Sequence, residues 1–129
     1  MLDASRIAAV VPVSDVGAAV EFYEGVLGLQ LVAHRSDIAV NPEAEFNAGD
    51  GSLLVYKSVG AGQSRHTVAG FRVDDVDATV ATLRERGVVF EDYDYPELKT
   101  VDGIATLGDV RAAWFKDPDG NILAVESVP

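Results

Sequence analysis

The feature that most constrains this fold is an internal repeat. Segments 13–20 and 73–80 share five identities at an offset of 60 residues, and segments 51–58 and 120–127 align at an offset of 69. A chain that repeats itself is built from copies of one supersecondary unit. The sequence therefore predicts two copies of a β-α-β-β-β unit of about 60 residues each.

Each copy has a short apolar strand followed by a helix with recognisable ends. Ser14 or Asp15 precedes the first helix, where a short oxygen side chain satisfies free backbone amides. Asp74, Asp75 and Asp77 lie at the start of the second, where negative charge complements the helix dipole. Gly28 and Gly87 follow the helices as caps. Between these ends, apolar residues recur at helical spacing: Val16, Val20, Tyr23 and Leu27 in the first helix, Val76, Val80 and Leu83 in the second.

The clearest local pattern is a predicted β-hairpin over 112–126. Its connection is the four-residue segment 117–120, Asp-Pro-Asp-Gly, in which proline and glycine favour successive turn positions. Along the strand before the turn, Trp114 and Phe115 point to opposite faces because strand side chains alternate. We expect Phe115 to lie under a helix and Trp114 to face a cleft.

The remaining segments are predicted from their composition. Ser36–Glu43 is a polar loop that contains proline, and Val59–Arg65 is a linker rich in glycine between the copies. Val88–Tyr93 is predicted to be a strand. Asp94–Gly108 is the longest segment without a periodic pattern, and we expect it to be a loop over the binding cleft.

Composition excludes several classes of protein. The formal net charge is −11, with no basic stripe for nucleic acid. The acidity favours solubility, with steering of a cationic ligand as the alternative. There is no cysteine for disulfides or thiolate metal sites and no apolar run that would span a membrane. The first residues lack the layout of a signal peptide, so we expect a cytoplasmic protein.

Several of these motifs together resemble the vicinal oxygen chelate superfamily, the group of glyoxalase I, bleomycin-resistance protein and extradiol dioxygenase. The resemblance lies in the repeat, in Phe22-Tyr23 and Leu27-Gly28-Leu29 of the first helix region, and in segment 114–121 of the hairpin. It implies an α+β fold, with one domain over 1–129 made of two βαβββ modules at about 5–58 and 66–127. In such folds mixed sheets curl around a shared cleft, often completed by dimerisation, so we expect a homodimer.

The resemblance also locates the positions at which metal-using members place their ligands. These lie on the first and last strand of each module and fall here at Ala8, Val55, Val68 and Ala124. None of these side chains can coordinate a divalent ion. His66 and Glu126 lie two residues from this set in opposite directions, so we expect them at opposite ends of the cleft. The prediction is a protein without a metal or other cofactor.

The cleft itself is predicted from the repeat positions and the alternation along the strands. Small apolar residues beside an indole suit a planar organic guest, either neutral or cationic. No catalytic residue is assigned. The expected lining residues are Ala8, Val10, Glu45, Val55, Lys57, His66, Val68, Arg72, Trp114, Ala124 and Glu126.

Three functions are compatible with these features. The first is a metal-free protein that sequesters a small molecule, similar to the bleomycin-resistance branch. The second is an enzyme of the same superfamily, a lyase, isomerase or dioxygenase that is metal-independent or has displaced metal ligands. General acid–base work by His66, Glu45 or Glu126 would serve such an enzyme. The third is a small regulatory or partner-binding module.

Overall fold

The computed structural model describes residues 1–35 and 42–129. It divides into two compact units, 1–63 with 118–120 and 64–117 with 121–129. The predicted loop Ser36–Glu43 lies outside the described residues except for its last two, and Glu43 opens a strand. The predicted α+β class with two mixed sheets is confirmed.

The first unit contains a four-stranded sheet in the order β1-β4-β3-β2. The neighbours β1 and β4, which are the first and last strands along the chain, run parallel, and the other neighbouring strands are antiparallel. In chain order the elements are β1 (Ala8–Val13), α1 (Val16–Val20), a π-helical segment (Glu21–Val26), β2 (Gln30–Arg35), β3 (Glu43–Ala48) and β4 (Gly51–Lys57).

Both ends of the first helical segment follow the predicted signals. The Asp15 side chain accepts a hydrogen bond from the Ala18 amide at 3.0 Å, as an N-cap residue does. Gly28 has φ 77°, the left-handed conformation of a helix cap. Tyr23 is fully buried, with its ring 5.8 Å from that of Phe46 in β3, which anchors this segment on the sheet.

The second unit contains a five-stranded sheet in the order β5-β9-β8-β7-β6, again with its first and last strands parallel. Asp75 caps its helix through the Ala78 amide, and Gly87 follows with φ 91°. The elements are β5 (Thr67–Arg72), α2 (Val76–Glu85), β6 (Thr100–Val101), β7 (Ile104–Leu107), β8 (Val110–Lys116) and β9 (Ile122–Ser127).

The expectation that Asp94–Gly108 is irregular was wrong. Asp94 forms a bridge with Lys99 around a tight turn, and two strands, β6 and β7, follow. The Thr100 hydroxyl accepts a hydrogen bond from the Tyr93 amide at 2.8 Å, so a polar side chain supplies a partner that periodicity does not reveal. The predicted strand Val88–Tyr93 is reduced to a single bridge between Phe90 and Phe115.

The predicted hairpin forms β8 and β9, with residues 117–121 between the strands. The Asp117 amide donates to the Asn121 carbonyl at 3.0 Å, and the Asn121 side-chain amide donates to Asp117 Oδ2 at 2.8 Å. Both side chains are buried. Gly120, at φ 90°, occupies the left-handed position of this turn.

Among the described residues, no helix combines the length and the apolar character needed to cross a lipid bilayer.

Candidate ligand-binding face

The second sheet has one face packed against α2, and its other face ranges from the exposed Gly70 and Arg72 to the buried Ala112 and Ala124. Phe115, Leu123 and Val125 are buried on the helix side. Arg111, four residues before Phe115 and therefore on the same side of β8, donates to Asp77 of α2 at 2.7 Å. Trp114 must then lie on the other side of the sheet, which we call the open face.

The centre of the open face is a row of three residues on adjacent strands. Gly70 pairs with Ala124, and Ala124 pairs with Trp114. Gly70 is exposed, and a Cβ placed on it would meet no atom within 4 Å. The row therefore runs from open space at Gly70, over the buried methyl group of Ala124, to a half-buried indole. This profile is a shallow floor with an aromatic wall.

Two tyrosines extend the aromatic wall, and we call them with Trp114 the aromatic cluster. The Tyr93 ring lies 5.6 Å from the Trp114 ring, edge to face, and 6.1 Å from the Tyr95 ring, stacked. The Glu91 amide donates to the Trp114 carbonyl at 2.8 Å and ties this segment to β8. Such ring pairs contribute about 0.5–1.5 kcal/mol beyond burial and hold the indole in place.

The environment of Tyr93 favours the protonated form of its hydroxyl. Burial raises the pKa of Tyr93 above its ordinary value of 10.0, and the nearby charges of Glu91 and Tyr95 raise it further. The Tyr93 hydroxyl therefore keeps its proton, and can donate a hydrogen bond, to a higher pH than a free tyrosine does.

One ion pair borders the floor. Arg72 Nε donates to Glu126 Oε1 at 3.4 Å, and these two residues are paired across β5 and β9, next to the row of Gly70 and Ala124. The carboxylate that the sequence placed in the cleft therefore has a cationic partner on the same face.

In the first sheet, the side chains around Val10 form the corresponding face. Val10, half exposed, pairs with Leu54, which pairs in turn with Glu45. Ala8 lies on the same face as Val10, and Tyr56 on the same face as Leu54, because alternate residues share a face. At its border, Arg35 Nη1 donates to Glu43 Oε1 at 2.9 Å. This surface mixes apolar and polar side chains, with Glu45 at its centre and Asn47 paired with Ser52 beside it.

The predicted orientation of Val55 was wrong. Val55 pairs with Val11 and is fully buried, whereas Ala8 pairs with Ser52 on the other face. Lys57, which shares the face of Val55, pairs with Val13. The two residues therefore do not join Ala8 and Val10.

The cause is one residue in a hairpin turn. Asn47 pairs with Ser52, five residues on, whereas its repeat counterpart Lys116 pairs with Ile122, six residues on. The offset of 69 that relates β3 to β8 thus becomes 70 after the turn, and Leu54 corresponds to Ala124. A slip of one residue turns every side chain of a strand to the other face.

His66 and Val68 lie at the entrance of β5 rather than at its centre. His66 is exposed and precedes the strand, and the Ser64 hydroxyl lies 2.9 Å from its Nδ1. Val68 is half-buried at a register shift between Thr67 and Ala69. The expectation that His66 shares a regular strand face with Val68 was therefore wrong, because β5 begins one residue later.

Comparison with known proteins decides the family. The sequence model of the "Glyoxalase/Bleomycin resistance protein/Dioxygenase superfamily" matches residues 6–125. The chain belongs to this superfamily. A comparison with curated protein sequences gave no significant match.

Solved structures agree with this assignment. A glyoxalase/bleomycin resistance protein from Streptomyces sp. CB03234 is 30% identical, over 94% of this chain and 98% of that chain, with a TM-score of 0.66. TnmS3, an antibiotic binding protein from the same organism, is 27% identical over 100% and 99% of the two chains, with a TM-score of 0.71. UcmS2 is 18% identical over 95% and 97%, with a TM-score of 0.76, and shows the fold alone.

The residues of this superfamily member do not fit a metal ion at the expected positions. After correction of the register, these positions are Ala8, Leu54, Val68 and Ala124, and none of the four side chains carries a nitrogen or oxygen donor. In the part of the chain that the structure describes, no group of three or more His, Cys, Asp or Glu side chains could hold an ion. These four positions therefore supply no metal ligand.

The sequence missed the two tyrosines of the aromatic cluster. Tyr93 was assigned to a strand and Tyr95 to a loop over the binding cleft, and neither was assigned to the site, although they are two residues apart. The available signal was the pair of aromatic residues in Tyr93-Asp94-Tyr95, in a chain with a single tryptophan. Gly70 was also missed, although a glycine in a strand often marks a place where a ligand or another backbone approaches closely.

Proposed function

We propose that this protein binds a planar organic small molecule on the open face of the second sheet and sequesters it without a metal. The observation that carries the proposal is Trp114, braced by Tyr93 and placed beside the floor of Ala124 and Gly70. An indole held at a defined angle next to empty space offers a flat apolar guest both burial and ring contacts.

Two further observations support binding rather than turnover. The superfamily positions that would hold a metal carry only hydrocarbon side chains. A relative of 27% identity across the full length is named as an antibiotic binding protein. A metal-independent lyase or isomerase is the alternative, and it is distinguished by release of a ligand of altered mass.

The ligand is sought by native mass spectrometry of protein taken directly from cells. We expect a co-purifying small molecule whose mass is unchanged after incubation with the protein. Its affinity is then measured by equilibrium dialysis against wild type, Gly70→Leu and Gly70→Ala. Gly70 does not have a positive φ, so its backbone accepts a side chain.

Gly70→Leu should weaken binding at least tenfold, because the leucine fills the floor beside Ala124. Gly70→Ala, with a single methyl group, should bind nearly as well as wild type. If Gly70→Leu binds as tightly as Gly70→Ala, the ligand does not use this floor and the proposed site is wrong. Conversion of the ligand to a product would show that the protein is an enzyme and not a sequestering protein.

A further inference from the structure

Arg72 is a basic residue that borders the floor of the open face on the side of β5, and Lys116 Nζ, on the same face of β8, lies 3.9 Å from Glu91 Oε1. Arg72 lies two residues after Gly70 on β5 and therefore on the same side of the sheet. Its side chain is 73% exposed, and that of its partner Glu126 is 33% exposed. The guanidinium is thus held from one side while its opposite side faces solvent.

The ion pair leaves most donors of Arg72 available. A guanidinium carries five N–H donors in a planar fork. Within residues 1–35 and 42–129, the Arg72 side chain donates one hydrogen bond, from Nε to Glu126 Oε1 at 3.4 Å. The terminal nitrogens can therefore donate to another group while Glu126 limits the directions that the side chain takes.

The distance from Arg72 to the aromatic cluster matches a fused-ring molecule. Trp114 lies two strands from β5 and one side-chain row from Arg72. With about 4.8 Å between strands and about 3.3 Å per residue along a strand, the two Cα atoms are about 12 Å apart. A ring system that contacts the indole and lies across Ala124 brings its far edge to the guanidinium.

We propose that Arg72 is a specificity-determining residue that donates hydrogen bonds to a carbonyl or similar acceptor oxygen at the edge of a planar aromatic ligand. This inference rests on the proposed function, since it concerns the same face. A site that hydrogen-bonds one substituent discriminates against the same ring without it, because its polar group is then left without a partner.

The test uses two probes that share a ring and differ in the oxygen: 2-acetylnaphthalene and 2-ethylnaphthalene. Equilibrium dialysis gives the affinity of each for wild type, Arg72→Gln, Arg72→Lys and Trp114→Ala. We expect wild type to prefer the ketone about tenfold, by one hydrogen bond to a charged donor. Arg72→Gln should remove this preference. Arg72→Lys should retain part of it, because lysine keeps the charge but not the planar fork.

The matched control is Arg65→Gln, which removes the same charge from an exposed arginine that precedes β5. It should leave the preference for the ketone unchanged. Trp114→Ala should weaken both probes alike, since it removes the ring contact that they share. Thermal melting of each variant checks that it is folded.

The outcomes separate the two proposals. If Arg72→Gln binds the ketone as wild type does, the role of Arg72 is wrong while the aromatic site stands. If Arg65→Gln abolishes the preference as well, the effect is one of net charge, and the inference is again overturned. If wild type binds neither probe, the aromatic site and the role of Arg72 both fall.

Discussion

At the scale of single residues, the neighbours Trp114 and Phe115 have opposite roles. Phe115 is buried against Phe90, with ring centroids 5.4 Å apart, on the side of α2. Trp114 is half-buried on the open face, against Tyr93. The alternation of side chains along a strand predicted that the two residues lie on opposite faces, because this rule requires only that the segment is a strand.

The first prediction compares truncations at these two positions. Phe115→Ala should lower the free energy of unfolding by about 3–5 kcal/mol, as for other buried phenylalanines. Trp114→Ala should cost less stability, because its ring is partly solvent-exposed, but should weaken ligand binding. Chemical denaturation measures the first effect and equilibrium dialysis the second. A larger loss of stability for Trp114→Ala would reverse our assignment of the two faces.

The second prediction concerns the ionisation of Tyr93. Because its pKa is raised above 10.0 in the folded protein, the folded state holds the phenolic proton more tightly than the unfolded chain. The stability from this proton is therefore present below pH 10 and is lost as the pH rises through the folded pKa. NMR of ¹³C-labelled tyrosine rings, with Tyr93 assigned from Tyr93→Phe, should show a midpoint above 10.0.

Tyr95→Phe is the control for that titration. The Tyr95 charge contributes to the raised pKa of Tyr93, although burial and Glu91 contribute more. The Tyr93 midpoint should therefore move toward 10.0 but stay above it. A midpoint at or below 10.0 in the wild-type protein would mean that the ring is more hydrated than the structure has it.

At the scale of elements, the turns decide which side chains share a face. The helix ends followed from Asp15, Asp75, Gly28 and Gly87, whose capping chemistry is local and can be predicted from sequence. The face of β4 could not, because inferring it from β9 assumes hairpin turns of equal length, and the turn between β8 and β9 is one residue longer. An alignment that ignored this extra residue placed Val55 on the wrong side.

The third prediction concerns the linker residue Gly62. It has φ 71°, and a Cβ there would overlap the carbonyl oxygen of Asp119 within the first unit. Gly87 has φ 91°, but a Cβ there would meet no atom within 4 Å. Both glycines impose left-handed strain on alanine, of about 1–2 kcal/mol. Only Gly62→Ala adds a steric overlap, which should cost about 1–3 kcal/mol more.

Gly87→Ala is therefore the matched control for Gly62→Ala. Urea denaturation of the two variants and wild type gives the free energies of unfolding. Equal losses at both positions would show that the segment 118–120 does not lie against the linker. A larger loss for Gly87→Ala would contradict the prediction outright.

At the scale of the whole molecule, the repeat predicted the fold because a repeated unit constrains every element at once. The proposed ligand site could not be predicted from the sequence to the same extent. The proposed site depends on which face of each sheet stays uncovered, and on Tyr93 and Tyr95. Their position comes from a tight turn closed by backbone hydrogen bonds between Tyr95 and Leu98, and from the Thr100 hydroxyl, which accepts from the Tyr93 amide. Net charge was a poor indicator, since Glu126 has Arg72 beside it.

The fourth prediction is a homodimer. In the part of the chain that the structure describes, the edge strands are β1 and β2 in the first sheet and β5 and β6 in the second. Such edges favour pairing or cover, and the superfamily resemblance implies that modules pair between or within chains. Light scattering should give twice the chain mass of 13.7 kDa. A monomer at tens of micromolar protein would contradict the prediction.

The place of β9 in the second sheet has a consequence for biosynthesis. β9 lies between β5 and β8, so these two strands have no common neighbour until residues 122–127 have been synthesised. The first sheet, by contrast, can close as soon as β4 has left the ribosome. Pairing of strands that are distant in sequence is slow and leaves apolar surface exposed meanwhile. During translation, the sheet that carries the aromatic cluster is therefore the later of the two to close.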